Sequence, residues 1–162
     1  MGFVIRPATE DDLPQMLRLW REMMDFHAEC DRRFRPGSSP EAEQAWTKHL
    51  REDIWPSDRW CALVAEVDGR LVGQILGELR ETLPVFEAVK FGYVTDIVVD
   101  PQARRRRIGE ALFQALKAWF AQRGTSHLRL QVAHHNPASQ AFWREMGCTD
   151  YMDTLWYDLE AK

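Results

Sequence analysis

No run among the 162 residues approaches the ~20 consecutive apolar side chains that a membrane-spanning helix requires. Cysteine is scarce: Cys30, Cys61 and Cys148 stand far apart, with no CxxC pair. That spacing argues against a disulfide framework and fits free thiols in a reducing cytoplasm. No GxGxxG follows the first strand-like segment, so a Rossmann dinucleotide site has no support, and no GxxxxGK[ST] exists for a P-loop. Internal repeats and low-complexity linkers are missing as well. The opening MGFVIRPATEDD has an acidic cluster where a signal peptide would be apolar, so the expected location is the cytoplasm.

What is present suits a single domain over residues 1–162. Hydrophobic residues make up 45% and charged residues 28%, which excludes a largely disordered chain. A chain of this size buries roughly 68–70% of its unfolded surface and needs no disulfide or metal staple. The charge is unevenly placed. The formal net charge is −4, yet Arg104, Arg105, Arg106 and Arg107 stand in one run. A general nucleic-acid binder is more often basic over a whole face, so one local, strongly anionic ligand is the better expectation.

Hydrophobic periodicity places the elements. Phe3–Pro7 suits a short strand, and a helix follows from Thr9 and Asp12 to about Cys30. Ser39-Pro40-Glu41 opens a second helix through about Ile54. Trp60–Val67, the Asp68-Gly69 turn and Leu71–Leu79 suit a hairpin, and Phe91–Val99 a further strand. Ile108–Gln122 is helical, with Gly124 after it as a stop. His127–Ala133 is then a strand, Pro137–Met146 a helix, and Thr154–Leu159 a closing strand. This order predicts an α/β (α+β) domain with a mixed sheet.

The chemistry concentrates in VVDPQARRRRIGEAL, residues 98–112, where a strand ends and a helix begins. The first N–H groups of a helix lack internal partners and its dipole makes that end positive, so it suits an anion such as pyrophosphate. Gly109 permits close approach, and arginines can grip phosphate oxygens bidentately.

This segment resembles motif A of the GCN5-related N-acetyltransferases, a strand running into a Q/R-x-x-G-x-G/A loop. Arg104 and Gly109 match its ends. The middle glycine is Arg107 here, which the loop accommodates if that residue keeps a negative φ and offers only its backbone N–H. A second segment, LQVAHHNPASQAFWREMGC, is similar to the family's N-x-x-[AS]-x-x-[FL]-Y-x-x-x-G-F. Asn136, Ser139, Phe142 and Gly147 match, while Trp143 stands for the usual Tyr and Cys148 for the usual Phe.

The resemblance spans nearly the whole chain and implies a mixed, mostly antiparallel sheet of six to seven strands. About four helices would flank it, with a V-shaped splay between the two central strands. It implies a transferase using acetyl-CoA (coenzyme A). The pyrophosphate would lie on backbone N–H groups of Arg104, Arg105, Arg106, Arg107, Ile108 and Gly109, extending to Glu110 and Ala111. The pantetheine would pair with Ile97, Val98 and Val99, and Asn136, Ser139, Phe142 and Trp143 would line the same wall. The acceptor would be a primary amine, attacking directly in a ternary complex, and polyamine acetyltransferases are the members it leans toward.

Asp96 interrupts an otherwise apolar strand just before the expected splay and is the candidate base or acceptor-amine ligand. Some relatives have Glu-Asp where this chain has Thr95-Asp96, and Thr95 cannot serve as base. An indole N–H does not ionise at accessible pH, so Trp143 cannot act as acid, and Tyr151 or Tyr93 are the alternatives. The acceptor pocket is expected between the first two helices, the Lys90–Asp96 strand and the C-terminal strand, with Asp25, Glu29, Trp55 and Tyr93 as lining residues and His27 and Asp31 nearby. His134-His135 has no third ligand at metal spacing, so no metal is expected. Neither nucleic acid nor membrane is an expected partner, and exposed strand ends are consistent with a homodimer. The competing reading is an acyl-CoA-binding or sensor module of the same fold that has lost its chemistry, given Thr95 and Trp143.

Overall fold

In the computed structural model of the protein, residues 2–35, 37–83, 85 and 89–159 are described. Five strands, β1 (Val4–Pro7), β2 (Trp60–Val67), β3 (Arg70–Glu81), β4 (Lys90–Val99) and β5 (Leu128–Leu130), form one sheet in chain order. The first four are antiparallel and β5 runs parallel to β4. At the β2–β3 hairpin Asp68 and Gly69 both have positive φ, 48° and 77°, the backbone twist a two-residue hairpin loop demands.

Two layers of helix cover the sheet. On one face lie α1 (Leu13–Cys30) and α2 (Pro40–His49), burying Leu13, Met16, Leu19, Trp20 and Met23 against Val64, Leu76 and Val98. On the other lies α3 (Ile108–Ala121), whose Ile108, Leu112, Leu116 and Phe120 pack on Ile75 and Val94. The short α4 (Pro137–Glu145) joins this second core through Trp143. The start of α2 matches the expected chemistry, and Asn136, expected on the pantetheine side, caps α4. Ser39 Oγ accepts from Ala42 N at 3.2 Å, and Asn136 Oδ1 accepts from Ser139 N at 3.0 Å.

Two features of β4 position the site. Its pairing with β5 covers only Gly92–Val94 against Leu128–Leu130, whereas its pairing with β3 continues to Val99. Beyond Val94 the two strands part, which is the expected splay. The β3 register also shifts, from Gly77↔Val94 to Leu76↔Asp96, so Thr95 is an extra, bulged residue. Strand side chains alternate faces, so Asp96 shares the α1/α2 face with Val98, and the bulge puts Tyr93 on that face too rather than opposite Asp96.

The sheet differs from expectation in its strand count. Among the described residues five strands stand where six or seven were expected, because residues 154–159 are exposed and do not adopt strand structure. The second helix also changes pitch. α2 ends at His49, and Leu50–Ile54 form a π turn closed by Trp55 N donating to Leu50 O at 2.9 Å.

Candidate active site

The loop between β4 and α3 is set by Asp100, which is buried. Its Oδ1 accepts from Gln102 N at 3.0 Å, and its Oδ2 from Arg70 at 2.8 Å and Arg18 at 3.1 Å. Burial pushes this carboxyl up, but the Gln102 N–H and the two arginines outweigh it and hold it below the usual carboxylate range. The chain then turns through Pro101–Ala103 into the four arginines, whose side chains are all exposed.

Arg107 does not keep the negative φ expected of it. Arg105 and Arg107 both sit at φ 61°, and Arg107 is the left-handed N-cap residue of α3. The loop shape demands that conformation, and an arginine bears roughly 1–2 kcal/mol for adopting it. No side chain caps α3. Among the described residues, its first N–H groups thus have no side-chain cap, unlike those of α2 and α4.

The two matched motifs meet at this point. A Cβ on Gly109 would lie 3.2 Å from Phe142 Cε2 and 3.6 Å from Val99 Cγ2. Val99, Gly109 and Phe142 thus form one wall, and Arg104 Nε reaches Val99 O at 3.4 Å. Glu110 lies 3.6 Å from Arg107, and Ala111 N closes the first helical turn on Arg107 O at 3.0 Å. Ile97 and Val99 are half-buried against the α3 core, and Val98 faces the other layer. The Asn136 carbonyl is engaged as the α4 cap, with Ser139 supplying the N–H. Trp143 is a core residue, buried edge-on against Phe113 with ring centroids 5.1 Å apart.

Across the sheet, Asp96 is partly buried among apolar residues, and burial pushes its carboxyl up to about 6, while Thr95 and His49 oppose that more weakly. His49 itself lies 2.6 Å from Asp53 and stands edge-on to Trp60. Tyr93 shares this face, with Arg80 stacked 3.8 Å over its ring and held by Glu78 at 2.7 Å. Among the described residues, the buried side-chain polar atoms without a hydrogen-bond partner are Glu22 Oε2 on α1, Trp55 Nε1 after α2, both amide atoms of Gln74 on β3, and Thr95 Oγ1 next to Asp96.

The remaining acceptor-side candidates sit further out. Asp25 binds Ser38 N at 3.0 Å and Ser38 Oγ at 2.8 Å, so it holds the loop after α1. Glu29 is exposed, Asp31 pairs with Arg33, and His27 stacks on Phe34 at 5.3 Å. Tyr151 is exposed, its ring 5.3 Å from Arg129, which also lies 4.1 Å over Phe91 at the start of β4. Sequence reasoning passed over Gln74, Glu22, His49 and Trp60. The signal available for Gln74 was a lone amide inside the apolar run LVGQILG.

A splayed strand pair with an uncapped helix start at its mouth defines an α/β domain built to hold an extended, anion-tipped ligand. Residues 20–148 match the family model described as acetyltransferase (GNAT) family. The chain belongs to that family. It is 38% identical over 90 residues to an L-2,4-diaminobutyric acid acetyltransferase of Nocardia farcinica (strain IFM 10152), a match over 52% of this chain and 44% of that protein's length. It is 26% identical to the peptidyl-lysine N-acetyltransferase YiaC of Escherichia coli (strain K12), over 96% of this chain and 88% of that one. Among solved structures, a mutant BH1408 protein from Bacillus halodurans superposes with TM-score 0.81 at 22% identity, covering 96% of this chain and 99% of that chain. The structure of AAC(6')-Iy in complex with the bisubstrate analog CoA-S-monomethyl-acetylneamine gives TM-score 0.76 at 19% identity, covering 99% and 100%. These structural likenesses show the fold.

Proposed function

We propose that the protein transfers an acetyl group from acetyl-CoA to a primary amine of a small molecule or peptide, by direct attack in a ternary complex. The observation that carries this reading is the position of Asp96. It stands on the α1/α2 face immediately past the point where β4 and β5 part, on the same strand that ends at the uncapped α3 start.

The residues fit the donor. The free N–H groups at the α3 start and the exposed arginines beside them suit pyrophosphate and the 3′-phosphate, and the unpaired edge of β4 over Ile97, Val98 and Val99 suits the amide-bearing pantetheine arm. Bound acetyl-CoA supplies an activated acyl thioester. On the protein side, Asp100 N donates to Val72 O, so the Val98 N–H belongs to the β3 ladder and the outward-facing N–H groups of β4 are those of Ile97 and Val99. One of these would polarise the carbonyl in place of Val98, and Asp96 would take a proton from the acceptor ammonium. A carboxyl pushed up to about 6 is better matched to an amine than an ordinary Asp, because it holds a proton more readily while remaining mostly ionised at pH 7. Tyr93 and Trp55 would line the amine side, and Tyr151 is proposed only as an outer residue near Arg129.

The relatives named for diaminobutyrate and peptidyl-lysine acetylation, and the structure with an acetylneamine analog, support a cationic acceptor. The test is acetyl-CoA turnover against a diamine, a lysine peptide and an aminoglycoside, read as free thiol. Tight acetyl-CoA binding with no thiol from any of them would instead support the non-catalytic module. We extend the reading to a homodimer in the cytoplasm, joined through residues 151–159.

A further inference from the structure

Resting on the acetyl-transfer reading above, we infer that Gln74 is a positioning residue for Asp96, its amide holding the water through which the acceptor nitrogen reaches that carboxylate. Gln74 is 0% exposed, and neither Oε1 nor Nε2 has a hydrogen-bond partner. Leaving a buried polar atom unsatisfied costs about 1–3 kcal/mol, so a methionine or leucine would suit this place in the core better if packing alone decided it. Its sheet neighbours are Val64 on one side and Val98 on the other, both apolar. The cluster around it is otherwise Leu71, Leu76, Met16 and Leu19.

The register says what the amide faces. Gln74 lies opposite Val98, and Asp96 lies opposite Leu76, so Gln74 and Asp96 are diagonal neighbours on one face of the β3–β4 ladder. Diagonal pairs are about 7–8 Å apart at Cα. Their polar ends are not in direct contact, as the unpartnered amide shows, and a gap of that kind between two polar groups suits one bridging water. Such a water needs two to four polar partners. The amide supplies a donor and an acceptor and Asp96 an acceptor, which meets that number.

In the reaction the acceptor ammonium loses a proton through this water to Asp96. The freed nitrogen forms the N–C bond while the thioester C–S bond breaks, and the second nitrogen proton passes to the departing thiolate through solvent, leaving a neutral amide and the free thiol. Gln74 neither gains nor loses a proton and acts only by orientation.

Gln74→Met keeps the volume and removes both polar ends. The expected result is a raised thermal midpoint, a kcat about 10–100-fold lower with the most active amine of the panel, and an unchanged KM for acetyl-CoA. In an Asp96→Asn background the same substitution should lower kcat no further. A Gln74→Met enzyme with wild-type kcat overturns the assignment, as does a loss of equal size in both backgrounds. If Gln74→Met does not accumulate as folded protein, Gln74→Asn, which retracts the amide by one methylene, carries the same expectations for kcat. Wild-type protein that turns over no amine overturns the acetyl-transfer reading itself, and the role of Gln74 falls with it.

Discussion

At the scale of single residues, two carboxyls respond to pH in opposite directions. Asp12 accepts from Arg6 at 2.7 and 2.8 Å and from Thr9 N at 2.8 Å, and the Arg6 hydrogen bonds chiefly hold it below the usual carboxylate range. Its stabilisation is therefore complete above about pH 4 and lost as the pH falls through its folded value. Asp12→Asn should destabilise the protein by about 3 kcal/mol at pH 7 and remove part of the acid sensitivity, measured by urea unfolding across pH. Asp96 behaves in reverse. Burial raises it to about 6, so its contribution is fully present below about pH 4 and lost as the pH rises through about 6. Asp96→Asn should lower kcat by about 10²-fold and abolish the rise in rate through pH 6, while raising stability at pH 7 by up to about 3 kcal/mol. A variant that loses acetyl-CoA affinity instead would place Asp96 on the donor side.

At the scale of elements, the β4–α3 junction combines a strained loop with a close helix contact. Arg107 holds a backbone conformation that glycine adopts without cost, so Arg107→Gly should stabilise the fold by up to about 1 kcal/mol. Because its proposed part is a backbone N–H, acetyl-CoA affinity should stay within about threefold in a calorimetric titration at moderate salt, where the exposed side chain is screened. Gly109 is different. Its missing Cβ is what lets α3 approach Phe142, so Gly109→Ala must move that ring by a few tenths of an ångström. Both acetyl-CoA affinity and thermal midpoint should fall together. A large affinity loss in Gly109→Trp alone would therefore mix blocked binding with displaced packing, and the unfolding midpoint separates them.

The junction also shows what the sequence could reveal. The spacing from Asp100 to Gly109 and from Asn136 to Gly147 located the α3 start and the Phe142 wall, because motifs of this kind are local backbone geometry. Asp96 was legible as a break in an apolar strand. Its face was not, since that depends on the Thr95 bulge, which only the β3 register defines. Gln74 and Glu22 were not legible for a similar reason: the lack of a partner is a property of packing, not of residue type. The sign of φ at Arg107 was misjudged because residue identity was allowed to outweigh the loop shape.

At the scale of the whole molecule, the C-terminal segment is the unfinished part. Tyr151, Met152, Leu155, Trp156, Tyr157 and Leu159 are 67–91% exposed within nine residues. So many large apolar side chains on one exposed segment are unusual for a monomer and mark an interaction surface. Trp156 of this segment lies 5.8 Å from Arg33, beyond α1, rather than on the sheet. Meanwhile β5, only Leu128–Leu130, pairs with β4 alone and leaves its other edge open. Among the described residues, one edge of β5 is thus unpaired and a cluster of exposed apolar side chains lies elsewhere on the same chain, and a second copy offers each the other. Light scattering on the full-length protein should give the mass of a dimer at micromolar concentration. Truncation after Asp150 should give a monomer with a lower thermal midpoint and greater aggregation, because the β5 edge then has no cover. A full-length protein that stays monomeric to about 100 μM, with the same midpoint as the truncated chain, would show that residues 151–159 do not serve self-association.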